Sequence, residues 1–548
     1  MSKFNTIIKK QSEPRNHEGA EAYRLSAEME LYSAVVTASL SDKFYETADK
    51  RIERIADLVG KCDPHFVAQL AVYARTAMNL RSVPLLLVVE LAKHHSGDNL
   101  VSRTIEKVVL RADEIMELLH CYQWRNSQNI STVDGNAPKK KLGKLSHQIQ
   151  VGLQKAFNNF DEYQFAKYDR DNLEVKLRDA LFIVHPKAKD EAQQQVFDKI
   201  ANKSLQIPYT WETELSALGQ MAFSSPEAKQ QAFSDKWEEL ICSGRLGYMA
   251  MLRNLRNFLD LNISMDALSV VANHLSDERE VVRSKQFPFR YLSAYREIKK
   301  VGYRPNIQAD TLGKAVLWER QTPSQLKALE NPALLESQKH LLLDALEKAV
   351  LATSQNIAGF DEHTRVLLAC DVSGSMYSYS SPNSTVKNFD IGLVLAMLLK
   401  HRCANVISGI FGSEWKVVDL PSTGILNAVG LMYKREGEVG YATNGYKVIA
   451  YLNKQHIATD KVLMFTDCQM WNSYDTGETL CSEWDKYKQI APNAKLYLFD
   501  LSGYGTAPLQ IVRDDVALIS GWSDRIFDML NAIENGSKAL AEIKKIEI

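Results

Sequence analysis

The sequence predicts a multidomain chain of mixed α and α/β class, in which a helical-repeat module is followed by a doubly wound α/β domain. Three observations carry this expectation. The chain has 548 residues, more than one ordinary core accommodates, so two or more domains are expected. From about residue 20 to residue 350, apolar side chains recur at helical spacing with short breaks. Past Gly359, short apolar runs alternate with helical stretches, the rhythm of a largely parallel sheet covered on both faces.

In the first half, Ile52, Ile55, Leu58 and Val59 form one stripe. Asp63-Pro64 then reads as an N-cap with proline at the first helical position. Phe66, Leu70, Tyr73 and Ala74 supply the next stripe, and Ser82 with Pro84 opens the segment that runs to Ala92. Segments of this length separated by brief turns fit paired antiparallel helices stacked as a HEAT-like α-solenoid. No clean repeat period is visible, and an irregular helical domain is the alternative.

In the second half, strands are predicted over 365–370, 406–411, 461–466, 495–499 and 516–520, with helices over 390–401, 444–455 and 482–490. The boundary falls in the polar stretch 353–362, T-S-Q-N-I-A-G-F-D-E. The expected division is a helical module over 17–355 and an α/β domain over 360–538.

Composition narrows the function. The chain is 45% apolar and 24% charged with a net charge of −1, so a nucleic-acid surface would be a local patch. The small basic excess lies in the N-terminal part. Seven scattered cysteines without a C-x-x-C pair suit idle thiols in a reducing compartment. The opening M-S-K-F-N-T-I-I-K-K has no apolar run behind its basic residues. The longest apolar run, 83–91, is far short of the ~20 residues of a spanning helix. A soluble, cytoplasmic protein without a membrane role is expected.

The most specific local pattern is Asp371-Val372-Ser373-Gly374-Ser375 at the end of an apolar run. If the run is a strand, one carboxylate and two hydroxyls meet at the carboxyl edge of the sheet, where open α/β sheets hold ligands. Such an all-oxygen set suits a small hard cation. Two further segments add donors. Residues 462–465 lead into Thr466-Asp467, and Ala442-Thr443-Asn444-Gly445 precedes a helix. The plainer reading is that the serines cap the helix that follows.

The D-x-S-x-S spacing, a later loop threonine and an aspartate after a later strand resemble the metal-ion-dependent adhesion site (MIDAS) of von Willebrand factor A domains. The likeness covers about 360–535. It implies Asp371, Ser373, Ser375, Thr443 and Asp467 as ligands of Mg2+ or another divalent cation. Two carboxylates among neutral hydroxyls leave the ion under-neutralised and able to recruit a partner's carboxylate. No G-x-S-x-G, phosphate-loop or H-E-x-x-H motif is present, so no enzymatic activity is expected. A metal-dependent nuclease is a disfavoured alternative.

Basic residues concentrate in one stretch: Lys139, Lys140, Lys141 and Lys144, then His147, Lys155, Lys167, Arg170, Lys176, Arg178, His185, Lys187 and Lys189. Phe157, Phe160, Tyr163, Phe165, Tyr168 and Phe182 are interleaved with them. Cations for phosphates beside rings for bases suit single-stranded or looped RNA. A solvated charged face over core aromatics is the plainer reading.

Several segments resemble the Ro autoantigen family, whose N-terminal module is named TROVE for telomerase, Ro and vault proteins. They are Leu142-Gly143-Lys144 with Lys155 to Phe160, then Ala166-Lys167-Tyr168 through Leu177-Arg178-Asp179 to Val184-His185-Pro186-Lys187. The Leu252-Arg253-Asn254-Leu255 helix and Arg283 through Pro288-Phe289 follow in the same order. The resemblance implies a monomeric ring of helical repeats closed by the von Willebrand A domain. Such a protein binds small noncoding Y-type RNA on its outer surface and takes single-stranded ends of misfolded noncoding RNA into its hole. A role in RNA quality control follows, with an exoribonuclease as the candidate protein partner. By motif, the RNA contacts fall on Lys167, Arg170 and His185, with Lys139, Lys140, Lys141, Lys144 and Lys187 beside phosphates. His185 departs from the pattern by preceding Pro186 directly. Arg253 and Arg256 are either interior partners or residues lining the hole. A protein-interaction scaffold with a Mg2+-dependent C-terminal domain and no RNA role is the alternative from another class.

Overall fold

The computed structural model describes residues 15–20, 22–38, 46–127, 145–301, 331–354, 360, 363–379, 384–435, 437–471, 477–510, 513–521, 526–534 and 539–548. They form two compact units. One gathers the described residues of 1–66, 357–422 and 429–545, and the other those of 67–356, 423–428 and 546–548.

The first unit is built on strands β1 (Tyr23–Arg24), β2 (Arg365–Asp371), β3 (Asn405–Phe411), β4 (Trp415–Val417), β5 (Lys461–Thr466), β6 (Lys495–Asp500), β7 (Thr506–Ala507) and β8 (Val516–Ser520). Six of them form one sheet in the order β4-β3-β2-β5-β6-β8. β2 pairs in parallel with β3 and β5, and β6 in parallel with β5 and β8. Only β4 runs antiparallel, at the edge. The five strands expected from apolar runs are all present, each within a residue or so of its predicted bounds. The edge strand β4 was not expected, because W-K-V is too short to show a period.

Parallel neighbours need crossovers, which helices supply. Val462, Met464, Leu496, Leu498 and Leu518 share one core with Ile449, Leu452, Trp484 and Tyr487 of the helices Tyr446–Gln455 and Leu480–Ile490. The alternate strand residues face the other way by the period of two. There the helix Asn388–Arg402, buried from Asn388 to Leu399, packs on β2 and β5. A Cβ on its Gly392 would lie 3.4 Å from Phe465 Cβ. From β2 the chain crosses to β3 on one side and later returns to β5 on the other. That reversal makes the loops after β2 and β5 a topological switch point, where such sheets place ligands.

The N-terminal segment belongs to this same unit. β1 pairs antiparallel with β7, Tyr23 opposite Ala507 and Arg24 opposite Thr506. The helix Ala27–Val36 buries Leu31, Tyr32, Ala34, Val35 and Val36, and the Tyr32 hydroxyl donates to the Ser520 carbonyl at 3.3 Å. A run of six buried residues on one helix needs cover on more than one side, and β8 and the helix Ala48–Val59 provide it. Residues 22–66 were expected at the start of the helical module over 17–355; those described are helical apart from β1, and they belong to the unit of the sheet.

The second unit is a succession of helices from Ser82–His94 to Pro332–Ala352. The run Val83–Leu91 is buried without a break, so the helix Ser82–His94 is covered on every side over that length, and it packs on Asp113–Ser127. Between them the Glu90 carboxylate, 2% exposed, pairs with Arg125 Nε at 2.5 Å. The helix Leu100–Val108 lies against His147–Phe157, so close that a Cβ on Gly152 would stand 2.7 Å from Ile105. Each of these two helices thus packs on the next but one along the chain. No helix among the described residues is long and apolar enough to cross a membrane.

Candidate functional site

β2 ends on Asp371, and the parallel register carries the end of β5 to the same edge, with Cys370 opposite Phe465. Thr466 and Asp467 follow at once. Four of the five expected ligands meet here. Asp371 Oδ1 accepts from the Ser373 amide at 2.9 Å, and the Ser373 and Ser375 hydroxyls lie 3.4 Å apart. Asp371 is 2% exposed and Asp467 is fully buried. Ser373 flanks the single-turn helix Gly374–Tyr377 without a side-chain capping bond, so capping does not account for it.

Thr443 stands on a loop stitched to both of these segments. The Gly374 amide donates to Tyr441 O at 3.0 Å, and the Trp471 amide donates to Thr443 O at 2.8 Å. The same loop reaches the end of β3 through Asn444 N to Gly412 O at 2.8 Å. A Cβ on Gly412 would lie 2.2 Å from Gly440 O, which explains the glycine.

The electrostatics fit a missing positive charge. Burial raises the Asp371 carboxyl above its ordinary value, and bonds from Ser373 and Thr466 only partly offset it. Burial raises Asp467 as well, and the charge of Asp371 raises it further, against the Ser375 hydroxyl and the Gln469 amide. Asp467 Oδ2 is buried with no hydrogen-bond partner among the described residues. Two desolvated carboxylates, one with an orphaned oxygen, are what a cation would satisfy. The neighbouring thiols Cys370 and Cys468 are pushed up by burial and remain protonated, leaving oxygen as the donor type. Asp371, Ser373, Ser375, Thr443 and Asp467 therefore fit a hard divalent cation such as Mg2+.

Two residues of this edge escaped the sequence reading. Thr466 Oγ1 donates to Asp371 Oδ2 at 2.6 Å and accepts from the Cys468 amide at 3.1 Å, fixing the first carboxylate from the second strand. Asp500 ends β6 as a third buried carboxylate, level with Thr466. Its signal was present: an aspartate closes an apolar strand, as at Asp371 and Asp467. It is committed to structure, accepting from Ser33 Oγ at 2.5 Å and from the Ser502 and Gly503 amides at 3.0 and 2.8 Å.

In the helical unit, Lys139, Lys140, Lys141 and Lys144 lie outside the described residues. The other expected contacts are exposed. Lys167 is on the helix Glu162–Tyr168, its ammonium 5.8 Å from the Tyr168 ring centre, and Arg170 follows in the next loop. His185 ends the helix Leu177–Val184 in the left-handed region, with φ 49°. Its carbonyl accepts from Gln154 Nε2 at 3.2 Å, and the Lys187 carbonyl accepts from Asn158 Nδ2 at 2.9 Å. The backbone of 185–187 is thus pinned while the side chains stay exposed.

The interleaved aromatics divide into buried and open rings, with Tyr168 half-buried under the Arg111 guanidinium between the two. Phe157, Phe160 and Phe165 are buried against one another and cannot stack on a base, which corrects their reading as stacking platforms. Tyr163 and Phe182 are 48% and 49% exposed, and the Arg178 guanidinium lies 5.6 Å from the Phe182 ring centre. Some cations of the stretch are spent on ion pairs: Lys155 with Glu106 at 2.6 Å and Lys176 with Asp171 at 3.7 Å. Arg253 and Arg256 are both exposed on the helix Tyr248–Asp260, and Arg256 pairs with Asp260 and Glu297 at 3.5 and 3.4 Å.

Comparison with known proteins gives a family match and a fold match. The TROVE domain family model matches residues 25–205 and 201–339, together more than half of the chain. The first stretch begins in the N-terminal helices of the sheet unit. Telomerase protein component 1 of Rattus norvegicus is 23% identical over 360 residues, and that of Mus musculus 25% over 359. The matches cover 52% and 53% of this chain but only 13% of either relative's length. Among solved structures, the Ro (RSR) protein of Deinococcus radiodurans superposes with a TM-score of 0.56 at 17% identity. That likeness covers 93% of this chain and 100% of the other, and it shows a shared fold.

Proposed function

Since the chain belongs to the TROVE domain family, we propose that it is a Ro-like RNA-binding protein, a non-enzymatic scaffold that works as a monomer in the cytoplasm. One observation carries the reading: Lys167, Arg170, His185 and Lys187 are exposed, and the same stretch of chain carries the open rings of Tyr163 and Phe182. Cations there neutralise phosphates, the rings accept bases, and Arg178 over Phe182 adds a flat cationic edge. The pinned backbone of 185–187 lowers the ordering cost of binding. The ligand is a small noncoding RNA of the Y type, together with single-stranded ends of misfolded noncoding RNA. The role is RNA quality control, with an exoribonuclease as the protein partner. Lys139, Lys140, Lys141 and Lys144 add phosphate contacts.

On the same proposal, Asp371, Ser373, Ser375, Thr443 and Asp467 hold Mg2+. When bound, the ion supplies an electrophilic point for an outside carboxylate. The buried Asp467 Oδ2 and the two raised carboxyls support this part.

Filter binding of the full chain to a structured small RNA with a single-stranded tail tests the first part, with copurified RNA read as the 260/280 nm absorbance ratio. Tight binding that weakens steeply with salt is expected. Absence of binding at low salt would leave a protein-interaction scaffold instead. RNA cut in Mg2+, with cutting lost in Asp371→Ala, would make the protein a nuclease. Calorimetric titration of Mg2+ into wild type and Asp371→Ala tests the metal, and equal heats would sink it.

A further inference from the structure

The N-terminal turn of residues 15–20 is fastened to the loop that carries Asp467. Asn16 is 8% exposed although it lies close to the described start of the chain. Its Oδ1 accepts from the Glu18 and Ala20 amides, both at 3.0 Å, and its Nδ2 donates to Met470 O at 2.6 Å. The His17 amide donates to Gln469 Oε1 at 2.9 Å, while the Gln469 amide donates to Asp467 Oδ1 at 3.1 Å. A third fastening is the Glu18 carboxyl, which takes a hydrogen bond from Trp471. The Trp471 amide in turn donates to Thr443 O.

Two of the five cation ligands, Asp467 and Thr443, thus stand one backbone bond away from groups that the N-terminal turn holds. Asp467 and Thr443 lie on separate loops, which the bond from the Trp471 amide to Thr443 O joins. The loop is also in an uncommon conformation. Cys468 sits at φ 62° without being glycine, a backbone state that needs support from outside.

We propose that the turn of Asn16, His17 and Glu18 is a positioning element for the cation site: it holds the 467–471 segment so that Asp467 and Thr443 face the ion together. The inference rests on the metal reading above. Outer residues that orient metal ligands typically contribute 10- to 100-fold in affinity.

The test is calorimetric titration of Mg2+ into the full chain and into Asn16→Asp. Aspartate keeps the acceptor for the Glu18 and Ala20 amides, so the turn survives, but it cannot donate to Met470 O. An affinity about tenfold weaker is expected. Glu18→Ala, which removes the Trp471 fastening without touching Asn16, is the second variant and is expected to weaken binding in the same sense. A purely structural role is separated by melting both variants in EDTA and in Mg2+. The rise in Tm that Mg2+ gives should shrink, beyond any fall seen in EDTA. Wild-type affinity in both variants overturns the positioning role and leaves the metal reading intact. A wild-type chain that takes no Mg2+ overturns both.

Discussion

Thr466 Oγ1 donates a hydrogen bond to Asp371 Oδ2 at 2.6 Å, joining the ends of two parallel strands through the carboxylate that opens the D-x-S-x-S loop. The bond aims Asp371 Oδ1 at the Ser373 amide and fixes the carboxylate plane. Thr466→Val keeps shape and removes the donor. It should weaken Mg2+ binding by roughly tenfold and lower the stability of the cation-free protein by about 1–3 kcal/mol, because a buried acceptor loses its partner. Calorimetry and urea unfolding in EDTA measure the two effects. An unchanged affinity would show that the Ser373 amide alone sets the carboxylate.

The pH dependence has a definite sign. Asp371 and Asp467 both have folded-state values above their ordinary ones, chiefly from burial. The folded pair therefore holds protons that the unfolded chain has released, so its contribution to cation-free stability falls as pH rises between the unfolded and folded values. Mg2+ binds the deprotonated pair and removes that penalty. The gain in Tm from Mg2+ should be largest near about pH 8 and shrink steadily toward about pH 5.5. A constant gain across that range would mean that the pair is ionised throughout.

On the helical unit, Lys167→Glu with Arg170→Glu should cut RNA affinity and flatten its salt dependence. Each lost phosphate contact removes roughly 0.7 from the slope of log K against log salt for single strands, about 1.4 for the pair. Filter binding at several salt concentrations reads it. Weakened binding with an unaltered slope would place these side chains away from phosphates.

Phe182→Ala should weaken RNA binding by about 1–3 kcal/mol with the slope unchanged, as loss of one stacked base does. Because Phe182 is half exposed, thermal stability should hardly move. Equal affinity for the variant would assign the ring to protein packing.

Arg51 offers a stability test within the sheet unit. It is 1% exposed, pairs with Glu46 at 2.6 Å and donates to Ser502 O at 2.6 Å. Burial pushes the Glu46 carboxyl up, but Arg54 and Arg51 more than reverse that. Arg51→Met should cost about 1–3 kcal/mol in urea unfolding, since it removes the donor to the buried Ser502 carbonyl and one of the two guanidinium partners of Glu46. A loss below about 1 kcal/mol would show that Arg54, also bound to Glu46, suffices.

Much of this was legible because its signals are local. The β5 run K-V-L-M-F-T is buried on both faces, and a central parallel strand reads as an unbroken apolar run. Asp371, Ser373 and Ser375 lie within one loop, so spacing alone grouped them. Thr466 was harder: its hydroxyl matters only because the register sets it beside a carboxylate 95 positions away. The aromatics of the basic stretch misled for a related reason. Phe165 and Phe182 look alike in sequence, and only packing tells the buried ring from the open one. Asn16 had no signal, since a single asparagine carries no period and its partner, Met470, lies 454 positions on.

The pairing of Tyr23 with Ala507 bears on how the chain is made. During translation at roughly 5–20 residues per second, about half a minute to a minute and a half separates the emergence of the two strands. Through that interval the helix Ala27–Val36 has no sheet to cover Leu31, Val35 and Val36. This helix leaves the ribosome long before the strands it packs with, and it is a natural client for a chaperone until synthesis passes β8.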